Sequence, residues 1–416
     1  MRILIISTFF PPLNSIASLR PYSWAKYFRD QGCSVTILTT HKPNLDKTIH
    51  HDLPLDEIEV LSVEQKSLII KLRTKQQNKE EEKTGGLISN LRHKTGIFSS
   101  CRMPDISDMW ALKAYKKVAR LKPWDIVIST SGPYTTHYIA QKLKKSNITK
   151  CWVADYRDFW TNHELFTGLF PFTILEKYLE QKWMAHADII TTVSNGLKSS
   201  LQTLLPDKQV HTIMNGFDEN ISDVQLLQKE SDYLRIVYTG TIYNGLSDPK
   251  LLLVSLNELF QESLLLRQKV TVDFYGKYNA DFQKLIQNYD LTDIVKQHGM
   301  VDIHTSLSLQ KNASMLAFFE PSFTNNKGII TGKLFEYIYS GTPILAIGID
   351  DSNESAQIII SSNSGYVCSD NVSTIKQSIL MIYQGECKTA QNRLEVMKYS
   401  RQNQAEKLYE LLLDSQ

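Results

Sequence analysis

The sequence predicts an α/β protein built from two doubly wound domains, each with a parallel sheet covered by helices on both faces. Three observations support this prediction. Strand-like and helix-like segments alternate along both halves of the chain, and the strands are apolar without a polar face. Such strands are typical of parallel sheets buried between helices. The 416 residues are enough for two hydrophobic cores of roughly 200 residues each.

The first half begins with a continuous apolar strand at residues 2–7, followed by a loop and a helix at 19–31 that ends at Gly32. A further helix is predicted from about residue 136. The other strands predicted in this half lie at residues 34–39, 125–129, 151–154, 189–193 and 210–214.

The second half repeats the alternation, with strands predicted at residues 234–238, 270–275, 316–319 and 343–347. The polar stretch 218–232 is predicted to be a hinge. We therefore expect an N-terminal domain at 1–218, a C-terminal domain at 228–389, and a final segment, 390–416, that packs back on the first domain. Ligands of such sheets bind beyond the carboxyl ends of the strands, so two facing domains predict a cleft between them.

The composition excludes several classes of protein. Net charge is +2, which gives no general attraction to nucleic acid. The five cysteines are scattered without CxxC spacing, so neither a zinc site nor a disulfide framework is indicated, as in a reducing cytoplasm. We predict a cytoplasmic protein, because the first apolar run is short and breaks at Pro11-Pro12, unlike a signal peptide. There is also no apolar run of about 18 residues to span a membrane.

Common catalytic motifs are missing as well. The sequence has no GxxxxGK[ST], no GxGxxG after the first strand, no HExxH and no GxSxG. This disfavours a P-loop NTPase, a simple dehydrogenase, a zinc hydrolase and an α/β-hydrolase. The histidines have no metal-ligand spacing, so we expect neither a metal nor another cofactor.

Residues 66–94 interrupt the pattern. They contain eight Lys or Arg residues, an EEE run and small apolar clusters. One interpretation is a mobile, solvated basic insertion. The other is an amphipathic contact with a membrane surface, which would make the protein peripheral on the cytoplasmic membrane.

The segment 331–343, TGKLFEYIYSGTP, is the most informative stretch. Thr331 and Gly332 open a short helix that carries Lys333 and Glu336. The free N–H groups of a helix N-terminus favour phosphate, and a glutamate one turn later can accept hydrogen bonds from vicinal hydroxyls. The segment could therefore hold the diphosphate and ribose of a nucleotide. The alternative is an ordinary helix with an exposed Lys–Glu pair.

Other candidate residues follow predicted strands. In the second half these are Gly240, Thr241 and Gly276, where glycine permits close approach of a ligand, and two further candidates, Gly299 and Val301, lie on a separate turn. In the first half, Asn14, Ser15 and Arg20 could bind an anionic or hydroxylated ligand, or form a structural turn.

Three charged residues, Asp155, Arg157 and Asp158, follow the buried strand 151–154. Desolvating them is costly unless they pair with each other or with a ligand. Both alternatives remain open from the sequence.

The chain resembles the family 4-like glycosyltransferases of GT-B fold, especially those of bacterial surface-polysaccharide biosynthesis such as capsule or O-antigen. The GT-B fold has two Rossmann-like domains facing a cleft. The matching segments are FFPP followed by Arg20, GCSVTILTT (32–40), DYRDFW (155–160), ADIITTVS (187–194), MNGFD (214–218), YTGTIY (238–243) and KLFEY with GTPILA (333–346).

The resemblance implies a retaining, metal-independent transfer of a hexose or N-acetylhexosamine from a nucleotide-diphosphate sugar to a glycan or lipid-linked acceptor. Glu336 would bind the donor ribose, with Thr331, Gly332 and Lys333 at the diphosphate. Main chain at 299–301 would contact the nucleobase. The loop bearing Asp155, Arg157 and Asp158 would lie near the reacting sugar, in the acceptor-binding domain.

The chain departs from the family pattern at three places. At one of them Asn14-Ser15 replaces the family's usual pair of glycines. The family's first paired glutamate corresponds to Gly328, and Glu320 is a candidate replacement. The family's Arg–Lys pair is absent after Gly240, so Lys333 and Arg20 would have to carry more of the diphosphate charge. Two alternatives therefore remain: a nucleotide-sugar 2-epimerase of the same architecture, and a non-catalytic partner subunit.

Overall fold

The computed structural model describes residues 1–13, 15–41, 53–65, 91–92, 94–99, 101–162, 166–219, 233–242, 248–320, 328, 330–386 and 390–415. Asn14, most of the insertion predicted at 66–94 and most of the hinge predicted at 218–232 lie outside this part. The chain divides into two compact units. The first contains Met1–Asp46, Asp52–Met214 and Ala405–Gln416, and the second contains Lys47–His51 and Asn215–Gln404.

The first unit is built on a seven-stranded parallel sheet with the order β3-β2-β1-β4-β5-β6-β7. Its strands are β1 (Arg2–Ile6), β2 (Ser34–Thr40), β3 (Glu59–Val63), β4 (Trp124–Thr130), β5 (Thr149–Tyr156), β6 (Ile189–Thr192) and β7 (Val210–Thr212). Its helices are α1 (Ile16–Asp30), α2 (Ser107–Val118), α3 (Thr135–Lys145), α4 (Phe172–Met184) and α5 (Asn195–Leu204).

The second unit has a six-stranded parallel sheet with the order β10-β9-β8-β11-β12-β13. Its strands are β8 (Leu234–Thr239), β9 (Val270–Tyr275), β10 (Val295–Gly299), β11 (Met315–Phe319), β12 (Ile344–Ile347) and β13 (Gly365–Cys368). Its helices are α6 (Lys250–Glu262), α7 (Leu264–Arg267), α8 (Ala280–Asn288), α9 (Ile303–Asn312), α10 (Gly332–Ser340), α11 (Glu354–Ser361), α12 (Val372–Tyr383) and α13 (Arg393–Met397).

Both faces of the first sheet are buried. Along β1, Ile3 and Ile5 belong to one apolar cluster, and Leu4 and Ile6 belong to another. Successive side chains of a strand point to opposite faces, so neither face of β1 meets water. The predicted doubly wound α/β fold class is confirmed.

The last helix, α14 (Arg401–Leu413), starts within the second unit, and its residues from Ala405 onward cluster with the first unit. Ala405, Leu408 and Leu412 are fully buried in the same apolar cluster as Phe28 and Ile37. Among the described residues, every helix is too short or too polar to cross a lipid bilayer.

Candidate functional site

Three glycines line the carboxyl edge of neighbouring strands in the second unit. Gly240 and Gly276 follow β8 and β9, and Gly299 ends β10. The amide of Gly240 donates to the carbonyl of Tyr275 (2.7 Å), and that of Gly276 donates to the carbonyl of Gly299 (2.9 Å). A Cβ on Gly276 would overlap the carbonyl oxygen of Gly240. The backbones of these strand ends therefore lie close together, and the three glycines contribute no side chains there.

Helix α10 begins beside this edge. Gly240 has φ 134°, and a Cβ there would lie 2.7 Å from Cε of Lys333 in the first turn of α10. The helix is capped at its C-terminus by Gly341 in the left-handed conformation (φ 75°). The short helix predicted between Thr331 and Gly341 is thus present.

Among the described residues, no side chain caps the N-terminus of α10. Thr331 is its N-cap residue, yet its side chain makes no capping hydrogen bond. Its hydroxyl oxygen is buried and has no hydrogen-bond partner among the described residues. Buried hydroxyls are normally paired, and first-turn amides attract anions. This end of the helix therefore has the properties of an anion-binding site.

Lys333 is held by an aromatic ring. Its Nζ donates to the hydroxyl of Tyr238 (2.6 Å) and lies 3.9 Å from the centroid of that ring. Burial lowers the pKa of Lys333 to about 7, and the Glu336 carboxylate opposes that shift. An anionic ligand would stabilise the ammonium form of this lysine.

Glu336 lies among cationic and amide groups. Burial raises the pKa of its carboxyl, and the strongest opposing influence is the guanidinium of Arg401. Nε2 of Gln310 donates to Oε2 of Glu336 (3.4 Å) and to the hydroxyl of Thr239 (3.0 Å). The carboxylate is therefore held in place, and it retains acceptor capacity for further hydroxyl donors.

Sequence reasoning missed Tyr238, Gln310 and Arg401. Tyr238 ends the strand predicted at 234–238, two residues before the candidate Gly240, so its position beside the site could have been inferred. Gln310 and Arg401 lie 26 and 65 residues from Glu336 in the chain, and no motif marks them. Only the packing of α9 and α14 brings them to this carboxylate.

The remaining predicted residues of the second unit have less distinct surroundings. The carbonyl of Thr241 accepts a hydrogen bond from the Tyr238 hydroxyl (3.2 Å). Val301 follows β10 and is half-buried. Glu320 accepts a hydrogen bond from Ser355 of α11 (2.5 Å), and burial raises its pKa to about 7. The role of Glu320 as the replacement glutamate stays a prediction.

In the first unit, Arg20 and Asp155 form a buried two-point ion pair. Nε and Nη2 of Arg20 donate to the two carboxylate oxygens at 3.1 and 2.7 Å. The Thr191 hydroxyl donates to the same carboxylate (2.8 Å), and Nη1 of Arg20 donates to the carbonyl of Met214 (3.1 Å). Asp155 is thus paired with Arg20, a partner that neither alternative from the sequence included. Phosphate binding by Arg20 and catalysis by Asp155 stay predictions.

Arg157 and Asp158 pair with each other on an accessible surface. Nε and Nη2 of Arg157 donate to one oxygen of Asp158 at 3.0 and 2.9 Å, and the Asp158 side chain is 53% exposed. A Cβ at Gly132 (φ 83°) would lie 2.5 Å from Nη2 of Arg157. The two residues border a cavity of about 80 Å³, which is also lined by Phe9, Ser131, Gly132 and Trp160.

Ser15 has a local structural role. Its hydroxyl accepts a hydrogen bond from the amide of Ala17 (3.1 Å) and caps α1. A ligand contact by Ser15 stays a prediction, and Asn14 lies outside the described residues.

Solved structures of other proteins resemble the whole chain. Sucrose-phosphate synthase (tll1590) from Thermosynechococcus elongatus matches with a TM-score of 0.66 at 12% identity, over 100% of both chains. The lipopolysaccharide outer core galactosyltransferase WaaB, in its apo form, matches with a TM-score of 0.59 at 14% identity, also over 100% of both chains. A putative UDP-N-acetylglucosamine 2-epimerase from Listeria monocytogenes matches at 0.53 and 11% identity, over 98% of this chain and 94% of the other.

These likenesses show the fold. The two parallel sheets with their helices are those of GT-B proteins with two Rossmann-like domains. No protein-family model and no curated protein sequence matched the chain.

Proposed function

We propose that this protein is a glycosyltransferase that uses a nucleotide-diphosphate sugar. The observation that carries the proposal is the start of α10. Its Thr331 hydroxyl is buried without a hydrogen-bond partner among the described residues, and Lys333, one turn before Glu336, lies against Gly240 at the edge of the second sheet. Helix amides and Lys333 suit a diphosphate, and Glu336 suits vicinal ribose hydroxyls. The main chain at Gly299 and Val301 would contact the nucleobase.

The proposed reaction transfers a hexose or N-acetylhexosamine with retention of configuration and without a metal. The bond between the sugar C1 and the diphosphate oxygen breaks, and the acceptor hydroxyl oxygen bonds to C1. The departing phosphate oxygen takes the acceptor proton. Lys333 and the first-turn amides of α10 would stabilise the charge that develops on the diphosphate. Arg157 and Asp158, beside the first unit's cavity, would contact the acceptor or the reacting sugar.

The proposed acceptor is a growing or lipid-linked glycan of bacterial surface-polysaccharide biosynthesis. This finer assignment rests on the motif resemblance to family 4-like enzymes. It places the protein in the cytoplasm or peripherally on the inner face of the cytoplasmic membrane. The segment 66–94 remains a proposed membrane contact there, mostly outside the described residues.

A thermal-shift panel of nucleoside diphosphates and their sugars tests the proposal. A ligand that binds the native state raises the melting temperature by mass action. We expect the nucleotides of one base to raise the melting temperature of wild-type protein. The same nucleotides should change the melting temperature of Lys333→Ala or Glu336→Ala very little. A panel without any stabilising nucleotide, or stabilisation that both variants retain, would contradict the proposal.

A nucleotide-sugar 2-epimerase is the second candidate, favoured by the fold likeness to the putative epimerase. Epimerisation needs no acceptor, so NMR of donor and protein alone separates the two reactions. A new sugar epimer would identify the epimerase, whereas transfer that depends on an added acceptor would identify the glycosyltransferase. Donor binding without either product would identify a non-catalytic partner subunit.

Affinity for a nucleotide-diphosphate sugar is expected to fall as pH rises above about 7. The pKa of Lys333 is about 7 in the free protein, and a bound diphosphate would raise it by favouring the ammonium form. Below the free pKa, lysine is charged in both states and affinity is constant. Between the two pKa values binding takes up a proton, so Kd rises by up to about tenfold per pH unit.

Calorimetry across this pH range, in buffers of different ionisation enthalpy, measures both the slope of log Kd against pH and the number of protons taken up on binding. The control is Lys333→Arg, since a guanidinium remains charged throughout. An equal slope in this variant would contradict the assignment to Lys333.

A further inference from the structure

The outward side of α4 in the first unit carries exposed apolar side chains. Ile174 and Tyr178, four residues apart, are 65% and 56% exposed, and Leu175 beside them is 44% exposed. Phe170, just before the helix, is 76% exposed. Residues four apart lie on the same side of a helix. A single exposed apolar residue is ordinary, but several together indicate an interaction surface.

The charges of α4 are sorted between its two sides. Both glutamates point inward: Glu176 is buried in an ion pair with Arg102 (2.8 Å), and Glu180 is buried and accepts a hydrogen bond from the Tyr156 hydroxyl (3.0 Å). Lys177 and Lys182 are exposed. The outward side of this helix therefore carries cations and no carboxylate.

We propose that this surface, here called the α4 face, binds the surface of an anionic lipid bilayer. The α4 face comprises Phe170, Ile174, Leu175, Lys177, Tyr178 and Lys182. Its apolar side chains would enter the boundary between headgroups and acyl chains with the helix axis parallel to the membrane. Its lysines would remain among anionic headgroups, each strengthening the binding several-fold.

The side-chain geometry fits this partner. Nζ of Lys182 lies 3.0 Å from the Tyr178 hydroxyl and 5.1 Å from the centroid of its ring. The ammonium group thus sits over an amphipathic ring, next to the apolar residues rather than among them. Lysine and tyrosine with an apolar body and a polar tip are suited to a membrane interface.

A second copy of this chain fits the α4 face less well. A two-fold interface places the same surface on both partners. Such an interface would bring Lys177 and Lys182 of both copies into one contact area, where neither helix offers an exposed carboxylate to pair with them. Like charges opposed in this way disfavour association, whereas an anionic bilayer attracts them.

Co-sedimentation of the full chain with vesicles tests the proposal independently of any enzymatic activity. The vesicles are phosphatidylcholine alone, or phosphatidylcholine containing phosphatidylglycerol. We expect binding to the anionic vesicles that weakens with added salt, because the lysine contribution is screened. Binding to phosphatidylcholine alone is expected to be much weaker.

Two variants separate the apolar and charged contributions. Phe170→Ser with Ile174→Ser, and Lys177→Gln with Lys182→Gln, should each reduce partitioning by about tenfold or more. Matched controls lie in the second unit, where Leu264 and Leu265 are 74% and 75% exposed and Lys250 and Lys296 are also exposed. Leu264→Ser with Leu265→Ser, and Lys250→Gln with Lys296→Gln, should bind like wild type. Melting curves check that every variant is folded.

Three results would overturn the proposal. One is the absence of binding to anionic vesicles by wild type. Another is binding that the α4-face variants retain in full, which would assign the contact to another segment such as 66–94. The third is a dimer in sedimentation velocity that Phe170→Ser with Ile174→Ser dissociates, without any vesicle binding, which would make the α4 face a contact between copies.

Discussion

Glu336→Gln is expected to weaken binding of the preferred nucleoside diphosphate about 10–100-fold, because hydrogen bonds from hydroxyls to a charged acceptor contribute about 1.5–3 kcal/mol. Glutamine keeps the shape of the side chain but replaces a fixed negative acceptor with a neutral amide. In the structure this acceptor is held by Gln310 and faces the charge of Arg401. Calorimetry with the nucleotide identified by thermal shift measures the loss.

A second measurement separates recognition of ribose from a general disturbance of α10. Wild type should discriminate between a ribonucleoside diphosphate and its 2′-deoxy analogue, and Glu336→Gln should lose most of that discrimination. The control is Glu258→Gln, which removes an exposed carboxylate of the same unit that pairs with Lys376 and should leave both affinities unchanged. Undiminished discrimination in Glu336→Gln would exclude a ribose contact and favour a purely structural role for this carboxylate.

The sequence predicted the central strands well but missed three of the four strands at the edges of the described sheets, β7 being the exception. β1, β4 and β5 lie inside the first sheet, and their continuous apolar runs identified them. β3, β10 and β13 were not predicted, and each lies at the edge of a sheet. Their residues are largely half-buried or exposed, so they lack the apolar run that marks a strand covered on both faces.

The candidate site shows a similar division. Lys333, Glu336 and the strand-end glycines were predictable, because each belongs to a local pattern in which residue type and position indicate a conformation. The partners of Glu336 were not, since Gln310 and Arg401 reach it only through packing. For Asp155 the sequence left two alternatives, because its partner Arg20 lies 135 residues away. Local chemistry is readable from sequence, whereas long-range pairing depends on the fold.

Asp155→Ala is expected to destabilise the first unit by about 3–5 kcal/mol, the usual cost of removing one partner from a buried ion pair. Arg20 would keep its charge in a buried site, where its guanidinium also lies 4.5 Å from the centroid of the Trp24 ring. The Thr191 hydroxyl would lose its acceptor as well. Urea denaturation followed by tryptophan fluorescence measures the effect, and nucleotide affinity reports separately on the second unit.

The double variant Arg20→Met with Asp155→Leu distinguishes a structural pair from a catalytic carboxylate. Removing both charges should restore much of the stability lost in Asp155→Ala, because no unpaired charge remains in the core. As the surface control, Asp30→Asn removes a half-exposed partner of Arg29 and should cost at most about 1 kcal/mol. If Asp155 is catalytic, Asp155→Ala will instead keep wild-type stability and lose turnover. Because Asp155 is fully buried and already accepts hydrogen bonds from Arg20 and Thr191, we expect the loss of stability.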